Sequence, residues 1–234
     1  MTGIAVSQYE PVTAPLRPAA GHQETTMLRR RSPQPSRRAV LHVRAPGDPP
    51  VPPGLPAWYN ERAFHFYVTG IRLPTQAPVG ARPRARYLAT AFSDLDAARA
   101  RLLADGMASV IVSASGRGAI AAALWHDARK PGAADALILD EPALAPGISL
   151  SLDVGCPVLV LTGSQICLPA MRHPLGWRRR HRSAQAGGLN LGGHVTWLRL
   201  PSVGPGDRSR GAYFGEIGRW LGAYMYGSVR DRLL

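Results

Sequence analysis

Residues Val110–Leu124 read VIVSASGRGAIAAAL. A short apolar run passes through small residues and into an alanine-rich stretch. A buried strand that turns sharply into a helix has this layout, and such an elbow holds one side chain up at the top of a sheet. The turn is tight, so the positions beside its corner must be small, usually glycine. Which residue stands at the corner decides whether the elbow presents a hydroxyl.

Working outward, the same alternation continues. Ala39–Val43 reads as a buried strand, followed by the proline-rich loop RAPGDPPVPPGLP. Ala57–Arg62 reads as a short helix and Ala63–Thr69 as a second strand. Tyr87–Asp105 carries Leu88, Phe92, Leu95, Ala98 and Leu102 at helical spacing. Val110–Val112 is the third strand and Gly118–Arg129 the next helix. Ala136–Leu139, Pro157–Leu161 and Val195–Leu200 supply three more strands. Tyr213–Tyr226 closes the chain as an amphipathic helix with Phe214, Ile217, Leu221, Tyr224 and Met225 on one face. Short apolar strands alternating with helices predict an α/β fold with a doubly wound, mostly parallel sheet. Such sheets place their sites at the carboxyl ends of the strands.

Composition narrows the function classes. The 234 residues are 45% hydrophobic, enough for one α/β domain with a full core. No apolar run approaches the roughly 20 residues of a membrane span. The first 38 residues hold no apolar segment of the secretory kind, and Arg29, Arg30 and Arg31 are followed by Pro and Arg rather than apolar residues. A cytoplasmic protein is the expectation. Cys156 and Cys167 make neither a disulfide framework nor a metal site, and the seven histidines show no paired spacing. No metal or other cofactor is expected. The formal charge of +13 invites a nucleic-acid partner. However, Lys130 is the only lysine, and Ala, Gly, Pro and Arg are all abundant, so the charge reads as a composition bias and nucleic acid as an unfavoured partner. Residues 1–37 are rich in Pro, Arg and polar residues without periodicity and are expected to be a disordered basic tail before a domain at 38–234.

Several segments, taken in order, resemble the α/β-hydrolase superfamily, and within it the serine aminopeptidase and monoacylglycerol-lipase-like group. The likeness covers about residues 39–226. Leu41-His42-Val43 with Gly47-Asp48 sits where that group has its oxyanion loop. Phe66–Arg72 (FYVTGIR) resembles the strand leading to its D-x-R-G turn, and Ser93–Ala98 (SDLDAA) its D-L-x-A helix. Pro157–Gly163 (PVLVLTG) resembles the strand that delivers the acid, and Phe214–Tyr224 the final helix. Pro142–Asp153 leaves almost no room for a cap domain, so the resemblance implies a minimal, cap-less α/β-hydrolase fold.

The resemblance also implies a nucleophile, a base, an acid and an oxyanion hole. Two registers fit the elbow. In one, Ser115 is the nucleophile and Arg117 stands where glycine is expected. In the other, Ala114–Ala119 lies on G-H-S-M-G-G, both flanking positions are small, and Gly116 occupies the nucleophile position. Sterics favour the second, while Ser115 is the candidate if chemistry survives. Val43, Gly116 and Arg117 belong to the oxyanion loop and elbow. The expected acid position, near Gln165 or Ile166, is not acidic, which leaves Asp140, beside Glu141, as the candidate acid. No histidine follows VTWLRL, where Pro205 stands near the base position. His173, with His181 as its neighbour in the preceding connection, is the candidate base.

One basic segment remains. Met171–Arg182, MRHPLGWRRRHR, sets Arg178, Arg179 and Arg180 beside Trp177. Arginine clusters recognise phosphate and carboxylate, so an anionic carrier or an acidic protein partner is implied. The expected activity is hydrolysis of a small-molecule ester, thioester or amide, or acyl transfer, through an incomplete or non-standard triad. The alternative is a catalytically inactive hydrolase-fold protein that binds a small molecule or a protein.

Overall fold

The computed structural model describes residues 9–14, 25–73, 81–129, 132–142, 156–162, 195–199 and 210–223. Among them, eight strands form one sheet: β1 (Glu10–Ala14), β2 (Thr25–Arg30), β3 (Arg38–Arg44), β4 (His65–Gly70), β5 (Ser109–Ser115), β6 (Ala136–Asp140), β7 (Val158–Thr162) and β8 (Val195–Arg199). Their spatial order is β1-β2-β4-β3-β5-β6-β7-β8. From β4 through β8 every neighbouring pair is parallel, whereas β2 pairs antiparallel with both β4 and β1. The helices described are α1 (Leu55–Asn60), α2 (Ala81–Ala104), α3 (Gly116–Ala128) and α4 (Arg210–Leu221).

Side-chain alternation divides the core in two. Ala39, Leu41, Val43, Val112, Ala114, Leu137 and Val160 meet α2 and α3 on one face. Val40, Phe66, Ile111, Ile138, Leu159 and Leu161 meet α1 and α4 on the other. Strands buried on both faces read as near-continuous apolar runs, which is why β3, β5, β6 and β7 stood out in the sequence. Each fully buried large side chain, such as Trp125 or Tyr59, contributes roughly 2–3 kcal/mol of apolar burial. Trp125 also donates its indole N–H to Asp96 Oδ1 at 2.7 Å, tying α3 to α2.

Asp94 of α2 is fully buried and takes the backbone N–H of Arg72 at 2.8 Å together with the Arg72 guanidinium. The two segments FYVTGIR and SDLDAA are therefore joined by one clasp, which fixes the turn after β4.

Two described stretches within 1–37 differ from their sequence reading. Glu10–Ala14 and Thr25–Arg30 are paired strands of the sheet, not disordered tail. Among the described side chains, each contributes one buried apolar group, Val12 or Met27, to the face covered by α2. Arg29 is drawn in by carboxylates from two elements, Glu10 at 2.7 Å and Asp105 at 3.3 Å. Two short strands with one inward anchor apiece leave no periodicity to read, and their register comes from the existing edge of β4.

Candidate functional site

The elbow lies where β5 meets α3. Ser115 ends the strand in extended conformation (φ −116°, ψ 157°), and Gly116 begins the helix at φ +55°. The chain thus turns its corner at Gly116, in the left-handed region that favours glycine. Gly118 lets the helix close on the sheet: a Cβ there would lie 3.1 Å from the Val43 carbonyl oxygen and 3.3 Å from the Ala45 nitrogen.

The space above the corner is filled by Asp48, whose side chain is buried. Its Oδ1 accepts the Arg117 N–H at 2.9 Å. Its Oδ2 accepts the Gly118 N–H at 2.9 Å and the Ala45 N–H at 2.7 Å. A Cβ on Gly116 would lie 2.6 Å from Oδ1, closer than real Cβ contacts come. The carboxylate is presented by a turn in which the Asp48 N–H returns to the Ala45 carbonyl at 3.1 Å. Two arginines hold the same loop: Arg44 donates to the Asp48 carbonyl at 3.3 Å and Arg117 to the Pro46 carbonyl at 3.4 Å. The first turn of a helix normally leaves its N–H groups without intrahelical partners, and a carboxylate there also meets the positive end of the helix dipole. Val43 is a paired residue of β3 with its side chain in the core, and the loop N–H that turns toward the elbow is that of Ala45.

Beside the corner, on the face covered by α1 and α4, lies a row of buried polar side chains. Ser115 and Asp140 are register partners of neighbouring parallel strands, so their side chains share this face. Both are buried, and the Tyr213 hydroxyl of α4 donates to Asp140 Oδ2 at 3.4 Å. One row down, His42 Nδ1 lies 3.2 Å from Ser113 Oγ, and the imidazole stacks on Phe66 with centroids 5.9 Å apart. Burial, with the charge of Arg44 as a smaller cause, pushes the His42 imidazole down to about 4. The neutral ring is therefore the form present near pH 7.

Ser115, Gly116, Arg117 and Asp140 come together at the carboxyl ends of β5 and β6, with Val43 on the adjoining strand. His173, His181, Arg178, Arg179, Arg180 and Cys167 lie outside the described residues. Sequence reasoning missed the part played by Asp48. The available signal was its place in a Gly-Asp-Pro turn directly after a strand, where aspartate side chains characteristically cap neighbouring N–H groups. Among the described residues, no group of three or more His, Cys, Asp and Glu side chains could hold a metal ion. No described helix is long and apolar enough to cross a membrane.

The strand order, the antiparallel β2, the flanking helices and the strand–corner–helix elbow define an α/β-hydrolase fold. Solved structures agree. An esterase from Pyrococcus furiosus superposes with a TM-score of 0.61 at 11% identity, over 93% of this chain and 91% of that one. A serine hydrolase without a lid from Xanthomonas campestris gives 0.57 at 15% identity, over 94% and 96%. An acylaminoacyl peptidase from Pyrococcus horikoshii gives 0.58 at 10% identity, over 94% of this chain but 42% of the longer one. No protein-family model matches the sequence, and no curated protein matches it.

Proposed function

We propose that this hydrolase-fold protein is a binding module for small acyl- or ester-like molecules and does not run serine hydrolysis. One observation carries the reading: the corner of the elbow, the position that presents a nucleophile in this fold, is Gly116 at φ +55°. Glycine has no side chain to attack with. Without an activated nucleophile the covalent route is lost, and binding is what is left. The solved structures superposed on this chain are described as an esterase, a serine hydrolase and an acylaminoacyl peptidase, which supports small acyl compounds as the ligand class. A fluorophosphonate probe should leave the wild-type protein unlabelled, and p-nitrophenyl ester turnover should equal that of the Ser115→Ala variant. Labelling of the wild type that is lost in Ser115→Ala overturns the reading.

A second reading is favoured by the register of β5 and β6. Ser115 and Asp140 are partners on one face, which puts a hydroxyl and a carboxylate side by side at the strand ends. In that reading Ser115 is the nucleophile, Asp140 the acid and His173 the base of a non-standard triad. Labelling at Ser115 that also falls in Asp140→Asn and His173→Ala selects it.

A further inference from the structure

We propose that the elbow contains a carboxylate-binding pocket whose ligand is the chain's own Asp48. The cradle is built from two elements. The first turn of α3 supplies the Arg117 and Gly118 N–H groups, and the loop after β3 supplies that of Ala45. Both oxygens are engaged, one by a single donor and the other by two, at 2.7–2.9 Å, the range of charge-assisted bonds. The pocket reads the two-oxygen head of a carboxylate, not merely a negative charge. Its walls fit that head closely. Added Cβ atoms at Gly116 and Gly118 would come within 2.6 Å of Oδ1 and 2.9 Å of Oδ2. Among the described residues no side-chain cation forms an ion pair with the Asp48 carboxylate, so the described groups that hydrogen-bond its oxygens are all backbone N–H dipoles.

In this fold, the N–H of the residue after the corner and an N–H of the loop after β3 are the donors that receive a developing oxyanion. Here Arg117 and Ala45 stand in those places, and Asp48 already occupies both. Placing a second negative oxygen there would set like charges in contact within a buried space. The pocket is therefore closed to external carboxylates until Asp48 leaves it. The inference stands whether or not Ser115 reacts, because it concerns the donors and not the nucleophile.

Chemical rescue tests the pairing. Asp48→Gly vacates the carboxylate without filling its space and should lower the melting temperature by roughly 8 °C. Sodium formate should restore several of those degrees in a saturable way, whereas sodium chloride at equal ionic strength should not, and the wild type should respond to neither. Formate and chloride acting alike on Asp48→Gly, or formate raising the wild type as much, overturns the proposal. Amide hydrogen exchange on the wild-type protein gives an independent readout that needs no variant. The Arg117 and Gly118 N–H groups, in a helical turn that is ordinarily unprotected, should exchange at least about 100-fold slower than in an unstructured chain. Exchange at the unstructured rate overturns the proposal as well.

Discussion

Asp48 and Asp94 are both buried carboxylates that bind backbone N–H groups distant in sequence, but their charges are balanced in different ways. Asp94 takes the Arg72 backbone N–H and the guanidinium of the same residue, whose side chain is 39% exposed and can turn to water. Asp48 takes two backbone N–H groups at the start of a 13-residue helix and a third from the loop after β3, and its carboxylate forms no ion pair with a described cation. A guanidinium adapts to loss of its partner, whereas fixed backbone donors do not. The difference teaches that the elbow is the stiffer of the two regions: its anion is held by groups that cannot follow it or replace it.

Several experiments would break or sharpen this contrast. The largest effect is expected at Asp48. Asp48→Ala should cost about 3 kcal/mol, and Asp94→Ala about 2 kcal/mol, measured by urea unfolding of both variants side by side. Equal losses, or a greater loss at Asp94, would show that the counterion matters more than the rigidity of the donors. Gly116→Ala should follow at about 2 kcal/mol, from the left-handed backbone and the 2.6 Å approach to Oδ1. Most of that cost should vanish in an Asp48→Gly background, because the steric part needs both partners; additive losses would separate the two positions.

A third buried ionisable group extends the comparison. His42 has neither a counterion nor a helix terminus, and burial leaves it neutral, with a value near 4 against about 6.5 in the unfolded chain. The unfolded state therefore binds the extra proton between these two values, and stability falls as the pH drops from about 6.5 to 4. The contribution is fully present above that window and amounts to about 3 kcal/mol once it has been crossed. Melting temperatures measured across the window should decline less steeply in His42→Asn than in the wild type. Parallel curves for the two proteins would mean that His42 titrates normally in the folded state.

Strands β3, β5, β6 and β7 were legible because parallel strands covered on both faces must be apolar throughout, and apolar runs are what a sequence displays most openly. The short runs at Val110, Ala136 and Pro157 all became central strands, and the helical spacing at Leu88–Leu102 became the buried side of α2. Strands β1 and β2 were illegible for the opposite reason. Val12 and Met27 are single anchors whose burial depends on an edge supplied by β4. In the site, the corner could be narrowed to Ser115 or Gly116 because small residues mark it. The bond from Asp48 to Arg117 spans 69 positions, and nothing local distinguishes a turn aspartate that caps its own loop from one that caps a remote helix.

The close approach between position 116 and Asp48 sets an order on mutational change. A side chain at 116, even one as small as that of serine, meets the carboxylate before it meets solvent. An elbow with a hydroxyl at this corner is therefore reached by first emptying position 48, at the cost of stability, and only then by changing position 116. In the reverse order the first step is strained and lacks any gain to offset it. The two residues form an epistatic pair, and the route between a filled and a reactive elbow passes through the state in which position 48 is empty and position 116 is still glycine.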